Sequence, residues 1–273
     1  MLILIVSLLS LVPAVILFLN AGLWAALGGF VGSFLLLALA MFLYLLYLCR
    51  KVDQDVPQEQ IDPHYKKVTD LILESVLPIL RIRIKTNGLE KMPKEGRFLL
   101  VCNHCNDSDP VILMRVLGKY ELAFISKREN KTMFVIGPMM HKLLAQLINR
   151  ENDREALKTI LTCIRLITED EVSIGVFPEG YIKPDRKLHH FRSGVFKIAT
   201  KTSVPIVVCT ITNTHHIIKN FTHLKPTDVE LHLIRTIGPE EYAGMTTVEL
   251  ADSVYHMMAQ DLGPDRVSRE EIP

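Results

Sequence analysis

A histidine and an aspartate in one short turn carry the clearest chemical signal in this sequence. His104 and Asp109 lie close together in the stretch Asn103-His104-Cys105-Asn106-Asp107-Ser108-Asp109. A carboxylate at this spacing can hydrogen-bond one imidazole nitrogen, which fixes the tautomer and leaves the other nitrogen ready to accept a proton. The pattern predicts a His/Asp general base that needs no serine or cysteine nucleophile. Taken alone, it is also compatible with a structural histidine.

The segments on either side of this turn predict where it lies in the fold. An apolar run at residues 98–102 predicts a buried strand. Asp109 followed by Pro110 predicts an N-cap and the first residue of a helix. His104 is then expected at the carboxyl end of a strand, where α/β folds place their chemistry. Asp107 is a rival to Asp109, both as the imidazole's partner and as the cap.

A second motif, Phe177-Pro178-Glu179-Gly180, follows another apolar run, at residues 172–177. Its ordinary interpretation is a tight turn, for which Pro-Glu-Gly is well suited. In the functional interpretation, Gly180 lets the backbone approach a substrate, and Glu179 bonds a hydroxyl or orders a cation.

Cations stand at the ends of several predicted elements. Solvated surface is the usual fate of such residues, but several are expected at the same edge of the sheet as His104. Cations that converge there would suit an anionic substrate such as a phosphate. The candidates are Lys127, Arg128, Arg150, Lys183, Arg186 and Arg192.

The first 49 residues contain no Asp, Glu, Lys or Arg. Because one membrane-spanning helix needs about 20 apolar residues, this stretch can supply two, divided at Asn20-Ala21-Gly22. We predict a membrane hairpin over residues 1–49, and a linker with an amphipathic helix over residues 50–80. A signal peptide fits less well, since a positive n-region is missing. A hairpin that enters only one leaflet remains an alternative.

Charge and cysteine content narrow the possible compartments and partners. Arg50 and Lys51 follow the hairpin directly, so the positive-inside rule places the globular part in the cytoplasm. The net charge of +1 gives no electrostatic case for nucleic acid. The five cysteines are odd in number and scattered, as expected in a reducing compartment. Cys102 and Cys105 form a C-x-x-C pair, but no second pair is visible, so we predict no metal site.

Strands and helices are predicted to alternate beyond the hairpin. This alternation indicates an α/β domain with a mostly parallel central sheet flanked by helices. We place that domain at residues 81–265 and a tail at residues 266–273. Residues 133–144 carry no clear pattern, and Thr246 with Glu249 predicts the start of the last helix.

Four blocks in order resemble the lysophosphatidic acid acyltransferase (1-acylglycerol-3-phosphate O-acyltransferase) family of glycerolipid acyltransferases. The resemblance spans roughly residues 82–233, and its first block is the His-x4-Asp motif from His104 to Asp109. The second block resembles residues 123–129, with an arginine-ended strand at Arg150. The third and fourth blocks resemble Phe177-Pro178-Glu179-Gly180, Phe191-Arg192-Ser193-Gly194 and Val204-Pro205-Ile206-Val207.

The resemblance implies acyl transfer from acyl-CoA or acyl carrier protein to the free hydroxyl of lysophosphatidic acid at a membrane, with no cofactor. It implies that His104 is the general base and that Asp109 orients it. The bilayer, a lysophospholipid acceptor and the acyl donor are the expected partners, and nucleic acid is not. The residues expected to bind substrate are Asn103, Lys127, Arg150, Glu179, Gly180, Lys183 and Arg192.

The third block departs from the family pattern. Tyr181-Ile182-Lys183 stands where the family usually has Thr or Ser and then Arg, an arginine that commonly serves the acceptor phosphate. Lys183 and Arg186 are candidate substitutes, although lysine lacks the bidentate fork. Acylation of another lysophospholipid or lipid alcohol therefore stays open. A thioesterase or lipid hydrolase, which lacks support from a Gly-x-Ser-x-Gly motif, and a non-enzymatic membrane scaffold are further alternatives.

Overall fold

The structure is a computed structural model that describes residues 2–268. Residues 269–273 of the predicted tail lie outside this range. The chain begins with two helices, α1 (Leu2–Ala21) and α2 (Leu23–Arg50), separated only by Gly22 with φ +85°. They contain 20 and 28 residues. At 1.5 Å per residue each is at least about 30 Å long, enough by length and composition to cross a bilayer. The predicted helical hairpin is confirmed.

Small residues bring the two legs of the hairpin together. A Cβ added at Gly29 would lie 2.3 Å from Cδ1 of Leu17, so the legs pack too closely there for a larger side chain. The Ser33 hydroxyl donates to the carbonyl of Gly29 at 2.6 Å and lies 3.4 Å from that of Ser10. Such contacts are typical of helix pairs in membranes, where lipid supplies no hydrophobic drive for association.

Helix α3 (Pro63–Ile79) connects the hairpin to the rest of the chain. It begins where the Asp62 carboxylate accepts from the backbone N–H groups of His64 and Tyr65, with proline at its first position. The Tyr65 hydroxyl donates to the carbonyl of Leu48 at 3.0 Å, which ties the start of α3 to the end of α2.

The central sheet has seven strands in the order β1-β7-β6-β2-β5-β3-β4. The strands β6, β2, β5, β3 and β4 are mutually parallel. Strand β7 runs antiparallel to β6, and β1 runs parallel to β7. The mostly parallel sheet is therefore confirmed, with one antiparallel pairing. Their bounds are β1 Ile82–Asn87, β2 Leu99–Cys102, β3 Leu122–Lys127, β4 Gln146–Ile148, β5 Ser173–Val176, β6 Ile206–Thr212 and β7 Thr227–Ile237.

Helices cover both faces of the sheet. The last helix starts at the predicted Thr246–Glu249 capping box and ends before Gly263. A helix also occupies the region at 133–144 that showed no pattern. The remaining bounds are α4 Asp109–Leu117, α5 Ile136–Lys142, α6 Asp153–Thr168, α7 Lys197–Thr202, α8 Ile217–Thr222 and α9 Thr247–Leu262.

Two apolar cores lie on opposite faces of the sheet. One packs α6 and α9 against the sheet, and the other packs α3 and α4 with Ile217 of α8. Alternate residues of β2 enter the two cores, Val101 on one face and Leu100 on the other. This double burial explains the uninterrupted apolar sequence of β2. The carboxyl ends of the five parallel strands lie at one edge of the sheet, which we call the carboxyl edge.

Candidate active site

The loop at residues 103–108 leaves β2 at the carboxyl edge and turns directly into α4. Ser108 is the N-cap residue and makes no side-chain cap bond, and Asp109 is the first residue of the helix. The prediction that Asp109 caps α4 was therefore wrong. Its Oδ2 instead turns back into the loop and accepts from the backbone N–H groups of Cys105 at 2.7 Å and Asn106 at 2.8 Å. The loop is closed by the carboxylate at its own end.

The same carboxylate oxygen pairs with the imidazole of His104. Nδ1 of His104 lies 2.9 Å from Oδ2 of Asp109. Asp109 is fully buried, whereas 15% of the His104 side chain is exposed. Since an ionised carboxylate only accepts, the ring proton lies on Nδ1 and the lone pair on Nε2. Asp107, the rival partner, is exposed.

Thr214 completes the surroundings of the Asp109 carboxylate. Its hydroxyl donates to Oδ1 of Asp109 at 2.5 Å, and Thr214 is 1% exposed. A buried charge is costly unless it is fully hydrogen-bonded, and this carboxylate receives four donors. Sequence reasoning missed Thr214. Its only signal was a hydroxyl residue just beyond the end of a strand, β6.

Phe177 fixes the plane of the imidazole. The rings of His104 and Phe177 are stacked, with centroids 4.2 Å apart and an interplanar angle of 17°. Phe177 in turn stacks on Phe124 of β3, at 5.6 Å. The aromatic residue of the second motif therefore forms one wall of the site, which limits rotation of the histidine ring.

Glu179 joins the two motifs through backbone groups. It is 4% exposed, and its Oε1 accepts from the N–H of His104 at 2.7 Å. Its Oε2 accepts from the N–H of His189 at 3.1 Å. Burial raises the pKa of Glu179 to about 8, and the two backbone donors oppose this rise. The contact with His104 holds the loop at residues 103–108 against the second motif. The contact with His189 closes the segment that follows that motif. A bond from Glu179 to a substrate hydroxyl stays a prediction.

Asn103 also has its contacts inside the protein. Its side-chain amide donates to the carbonyl of Ile211 at 2.9 Å and accepts from the N–H of Ile211 at 2.8 Å. It is 3% exposed and fastens the end of β2 to β6. Its observed role is to position His104, the next residue, and its predicted contact with substrate remains a prediction.

Arg192 lies against Gly180, next to Glu179, and we call Gly180, Arg192 and Arg150 the cationic corner. Gly180 has φ +84°, and a Cβ added there would lie 2.9 Å from Nε of Arg192. Both facts favour glycine, because other residues rarely adopt this φ and because a side chain would collide with Arg192. Burial lowers the pKa of Arg150, and the charge of Arg192 lowers it further. The guanidinium groups of Arg150 and Arg192 therefore lie within electrostatic reach of each other, an arrangement that favours an anion between them.

The remaining predicted cations are distributed around the same edge. Nη1 of Arg186 donates to the carbonyl of Cys105 at 3.0 Å, next to His104. The ammonium of Lys183 lies 4.8 Å from the ring centroid of Tyr181. Lys127 is exposed at the end of β3. Arg128 instead pairs with Glu155 of α6, at 3.1 Å.

The thiols of the C-x-x-C pair are buried. Burial raises the pKa of Cys105 to about 12 and that of Cys102 well above its ordinary value. Both groups are therefore protonated near neutral pH, whereas a thiolate is the form that attacks or binds metal. Within residues 2–268, no three His, Cys, Asp or Glu side chains are grouped as a metal site requires.

The site thus combines a proton acceptor with a cationic corner. Nε2 of His104 is positioned to take a proton from a hydroxyl or a water molecule, and Asp109 stabilises the imidazolium that forms. Arg150, Arg192 and Arg186 supply positive charge for an anionic group. These groups are suited to activate a hydroxyl on a molecule that also carries a phosphate.

Comparison with known proteins agrees with this chemistry. A sequence profile of the Acyltransferase family matches residues 83–212, which include both motifs. A probable 1-acyl-sn-glycerol-3-phosphate acyltransferase of Mycoplasma pneumoniae is 32% identical over 151 residues, 54% of this chain and 55% of that protein. A 1-acyl-sn-glycerol-3-phosphate acyltransferase of Chlamydomonas reinhardtii is 28% identical over 196 residues, 71% of this chain and 56% of that protein. The chain thus spans little more than half the length of these relatives.

A solved structure has the same fold. The crystal structure of the 1-acyl-sn-glycerophosphate acyltransferase PlsC from Thermotoga maritima superposes with a TM-score of 0.60. The match covers 84% of this chain and 95% of that one, at 20% sequence identity. At this identity the likeness shows a shared fold and does not by itself identify a substrate.

Proposed function

We propose that this chain is a 1-acyl-sn-glycerol-3-phosphate acyltransferase, which acylates the free hydroxyl of lysophosphatidic acid to give phosphatidic acid. The acyl donor is acyl-CoA or an acyl carrier protein thioester. The observation that carries the proposal is the 2.9 Å bond from His104 Nδ1 to the buried Asp109, at an edge lined with cations. Relatives named for this reaction support it.

The reaction needs only proton transfer and orientation from the protein. Nε2 of His104 takes the proton of the acceptor hydroxyl while that oxygen attacks the thioester carbonyl carbon. The tetrahedral intermediate then expels the thiolate, which takes the proton from the imidazolium. General base catalysis of this kind contributes about 10²–10⁴-fold. Asp109 holds the tautomer and stabilises the transient positive charge.

The acceptor's phosphate is proposed to bind in the cationic corner. In 1-acylglycerol-3-phosphate the reacting hydroxyl and the phosphate are on neighbouring carbons, so the phosphate must lie close to His104. Arg192 lies against Gly180, Arg150 lies within electrostatic reach of Arg192, and Arg186 donates to the carbonyl of Cys105. These arginines compensate for the family arginine that Tyr181-Ile182-Lys183 lacks. A different lysophospholipid with an accessible phosphate would use the same groups.

Membrane anchoring is part of the proposal. The hairpin at residues 1–49 inserts into the bilayer, residues 50–80 connect it, and residues 81–265 form the acyltransferase domain on the cytoplasmic side. Both the lysolipid acceptor and the diacyl product partition into membranes, so an anchored enzyme meets its substrate there. Arg50 and Lys51 at the end of α2 support the cytoplasmic orientation.

A thiol-release assay tests the proposal. Purified protein in liposomes is given acyl-CoA or acyl carrier protein donors with a panel of lysolipids, and free thiol and lipid product are both measured. We expect thiol release that requires lysophosphatidic acid and yields phosphatidic acid in equal amount. Thiol release without an acceptor would identify a thioesterase. No turnover with any pair of substrates would favour a scaffold.

A further inference from the structure

A second apolar surface stands on the globular part, separate from the hairpin. Its members lie at the end of α3, on α8 and in the turn that follows α8, and we call it the α8 patch. The exposed fractions are 52% for Ile79, 65% for Ile218, 37% for Phe221 and 68% for Leu224. Large apolar side chains this exposed, grouped on one surface, mark an interaction site.

Hydrogen bonds join the two segments of the α8 patch. The guanidinium of Arg81, just after α3, donates to the carbonyl of Leu224. The N–H of Thr227 donates to the carbonyl of Arg81 at 3.1 Å. Arg81 is itself exposed, so its charge lies beside the apolar side chains. Arg81 therefore links the two segments that carry the patch.

The backbone holds Leu224 outward in an unfavourable conformation. Leu224 has φ +57°, in the left-handed region that residues other than glycine rarely adopt. The turn is closed by the N–H of Leu224 on the carbonyl of Phe221 at 3.0 Å, and by that of Lys225 on Asn220 at 2.8 Å. A leucine fixed in this way, with 68% of its surface exposed, contributes little to the core. Contact with something outside the chain would account for it.

The two segments that form the α8 patch carry basic residues and no acidic ones. Residues 75–89 and 214–227 contain no Asp or Glu, although the whole chain balances 31 Lys and Arg against 30 Asp and Glu. Arg83 and Lys85 face Asp228 of β7, within 3.8 Å and 3.2 Å. Asp228 is therefore paired with these two cations, and exposed apolar side chains on segments that carry cations complement the headgroup region of an anionic bilayer.

The patch connects the hairpin with the catalytic residues. Helix α1 packs against α3, whose far end carries Ile79. Strand β1 follows Arg81 and, running opposite to β6, begins at the carboxyl edge. On the other side, α8 begins shortly after Thr214, which bonds Asp109. A surface that contacts the α8 patch therefore also lies close to His104.

We propose that the α8 patch docks on the anionic surface of the same leaflet that holds the hairpin. Ile218, Phe221 and Leu224 enter the boundary between headgroups and acyl chains, while Arg81, Lys219 and Lys225 contact the phosphates. This second contact sets the depth of His104 relative to the lysolipid hydroxyl. The inference rests on the proposed membrane function, but its test does not require turnover.

Fluorescence of the full-length protein in liposomes tests the contact. The chain has a single tryptophan, Trp24, so Trp24→Phe with Phe221→Trp places one reporter in the patch. With vesicles of phosphatidylcholine and phosphatidylglycerol, we expect a shift of emission to shorter wavelength and quenching by lipids brominated near the headgroup. The matched control is Leu161→Trp, on α6 at the opposite face and 54% exposed, which should not be quenched. Equal quenching at the two positions would overturn the proposal.

Charge reversal tests whether an anionic lipid surface contacts the α8 patch. Lys219→Glu with Lys225→Glu should weaken docking of the reporter by roughly fivefold per lysine on anionic vesicles, and little on phosphatidylcholine alone. Turnover of a dispersed short-chain acceptor should stay unchanged, which separates docking from catalysis. If no variant shows turnover but the reporter is quenched, the proposed function fails and this inference stands. A shift without lipid that grows with protein concentration would identify a second chain as the occupant and contradict the proposal.

Discussion

The loop at residues 103–108 and the segment at residues 177–192 both follow buried strands, but they hold their carboxylates differently. Asp109 receives four donors, three of them from the loop that it closes. Glu179 receives two backbone N–H groups, one from His104 across 75 residues and one from His189 of its own segment. The first region is built by local contacts and presents one reactive atom. The second is held by tertiary contacts and presents dispersed charge.

If the proposed function holds, this difference separates catalysis from recognition. The first region keeps the whole family motif, from His104 to Asp109. The second keeps the turn at Glu179 and Gly180 but replaces the residues that follow with Tyr181-Ile182-Lys183. Changes in the first region are therefore expected to lower the rate of the chemical step. Changes in the second are expected to alter which acceptor binds.

Among the residues that support His104, the largest effect is expected from Asp109→Asn. The neutral amide no longer stabilises the imidazolium and supports the wrong tautomer, so kcat should fall about 10²–10⁴-fold, the full range of general base catalysis. Circular dichroism and thermal unfolding serve as the control for folding. A folded variant with kcat within fivefold of the parent would show that Asp109 is dispensable.

Loss of the cationic corner should change binding and leave the chemical step nearly intact. For Arg150→Gln with Arg192→Gln, KM for lysophosphatidic acid should rise roughly tenfold or more, since charged hydrogen bonds contribute about 1.5–3 kcal/mol. The rate with a neutral monoacylglycerol should not change. Arg128→Gln is the matched control, because Arg128 pairs with Glu155. Equal losses with charged and neutral acceptors would exclude a phosphate contact.

Thr214→Val is expected to have an intermediate effect through Asp109. It leaves Oδ1 of a fully buried carboxylate without its donor. Because one hydrogen bond to a charged group is lost, kcat should fall about tenfold, while KM should not change. Thr214→Ser keeps the hydroxyl and should recover most of the rate. If serine and valine variants behave alike, the hydroxyl has no positioning role.

The last prediction concerns the pH dependence of stability at Glu179, which is not an effect on turnover. Its pKa is about 8 in the folded chain, above the ordinary value of 4.5, so the folded state binds the proton more tightly than the unfolded state. The unfolding free energy of the parent should therefore decrease as pH rises from about 5 to 8, relative to Glu179→Gln, which does not titrate. Denaturant unfolding at both pH values measures the difference. Parallel pH profiles would contradict the raised pKa.

Much of the fold was predictable because its signals are local. Charge-free residues 1–49 indicate two apolar helices at once, and the strands of the parallel sheet stand out as apolar runs. Helix α5 was missed because Gly137 and Pro138 suggested a break, whereas both lie in its first turn, where no N–H partner is required. The antiparallel pairing of β6 with β7 could not be predicted, because the hydrophobic pattern of one strand does not indicate the direction of its neighbour.

In the candidate site, too, the contacts between residues close in sequence were predictable, and the contacts between distant residues were not. His104 and Asp109 share one turn, so their spacing alone indicates the pair. Thr214 joins them across 105 residues, a contact that only the folded sheet creates. Asn103 was expected to bind substrate from its neighbourhood, but its amide is engaged by β6.

Turnover of His104→Ala tests the central claim most directly. Liposome-bound variant and parent are compared for acceptor-dependent thiol release at saturating donor and lysophosphatidic acid, after equal thermal unfolding has shown that both are folded. Removal of the proton acceptor should lower the rate a hundredfold or more, the lower end of the general-base range. A rate near that of the parent would show that the imidazole does not activate the hydroxyl.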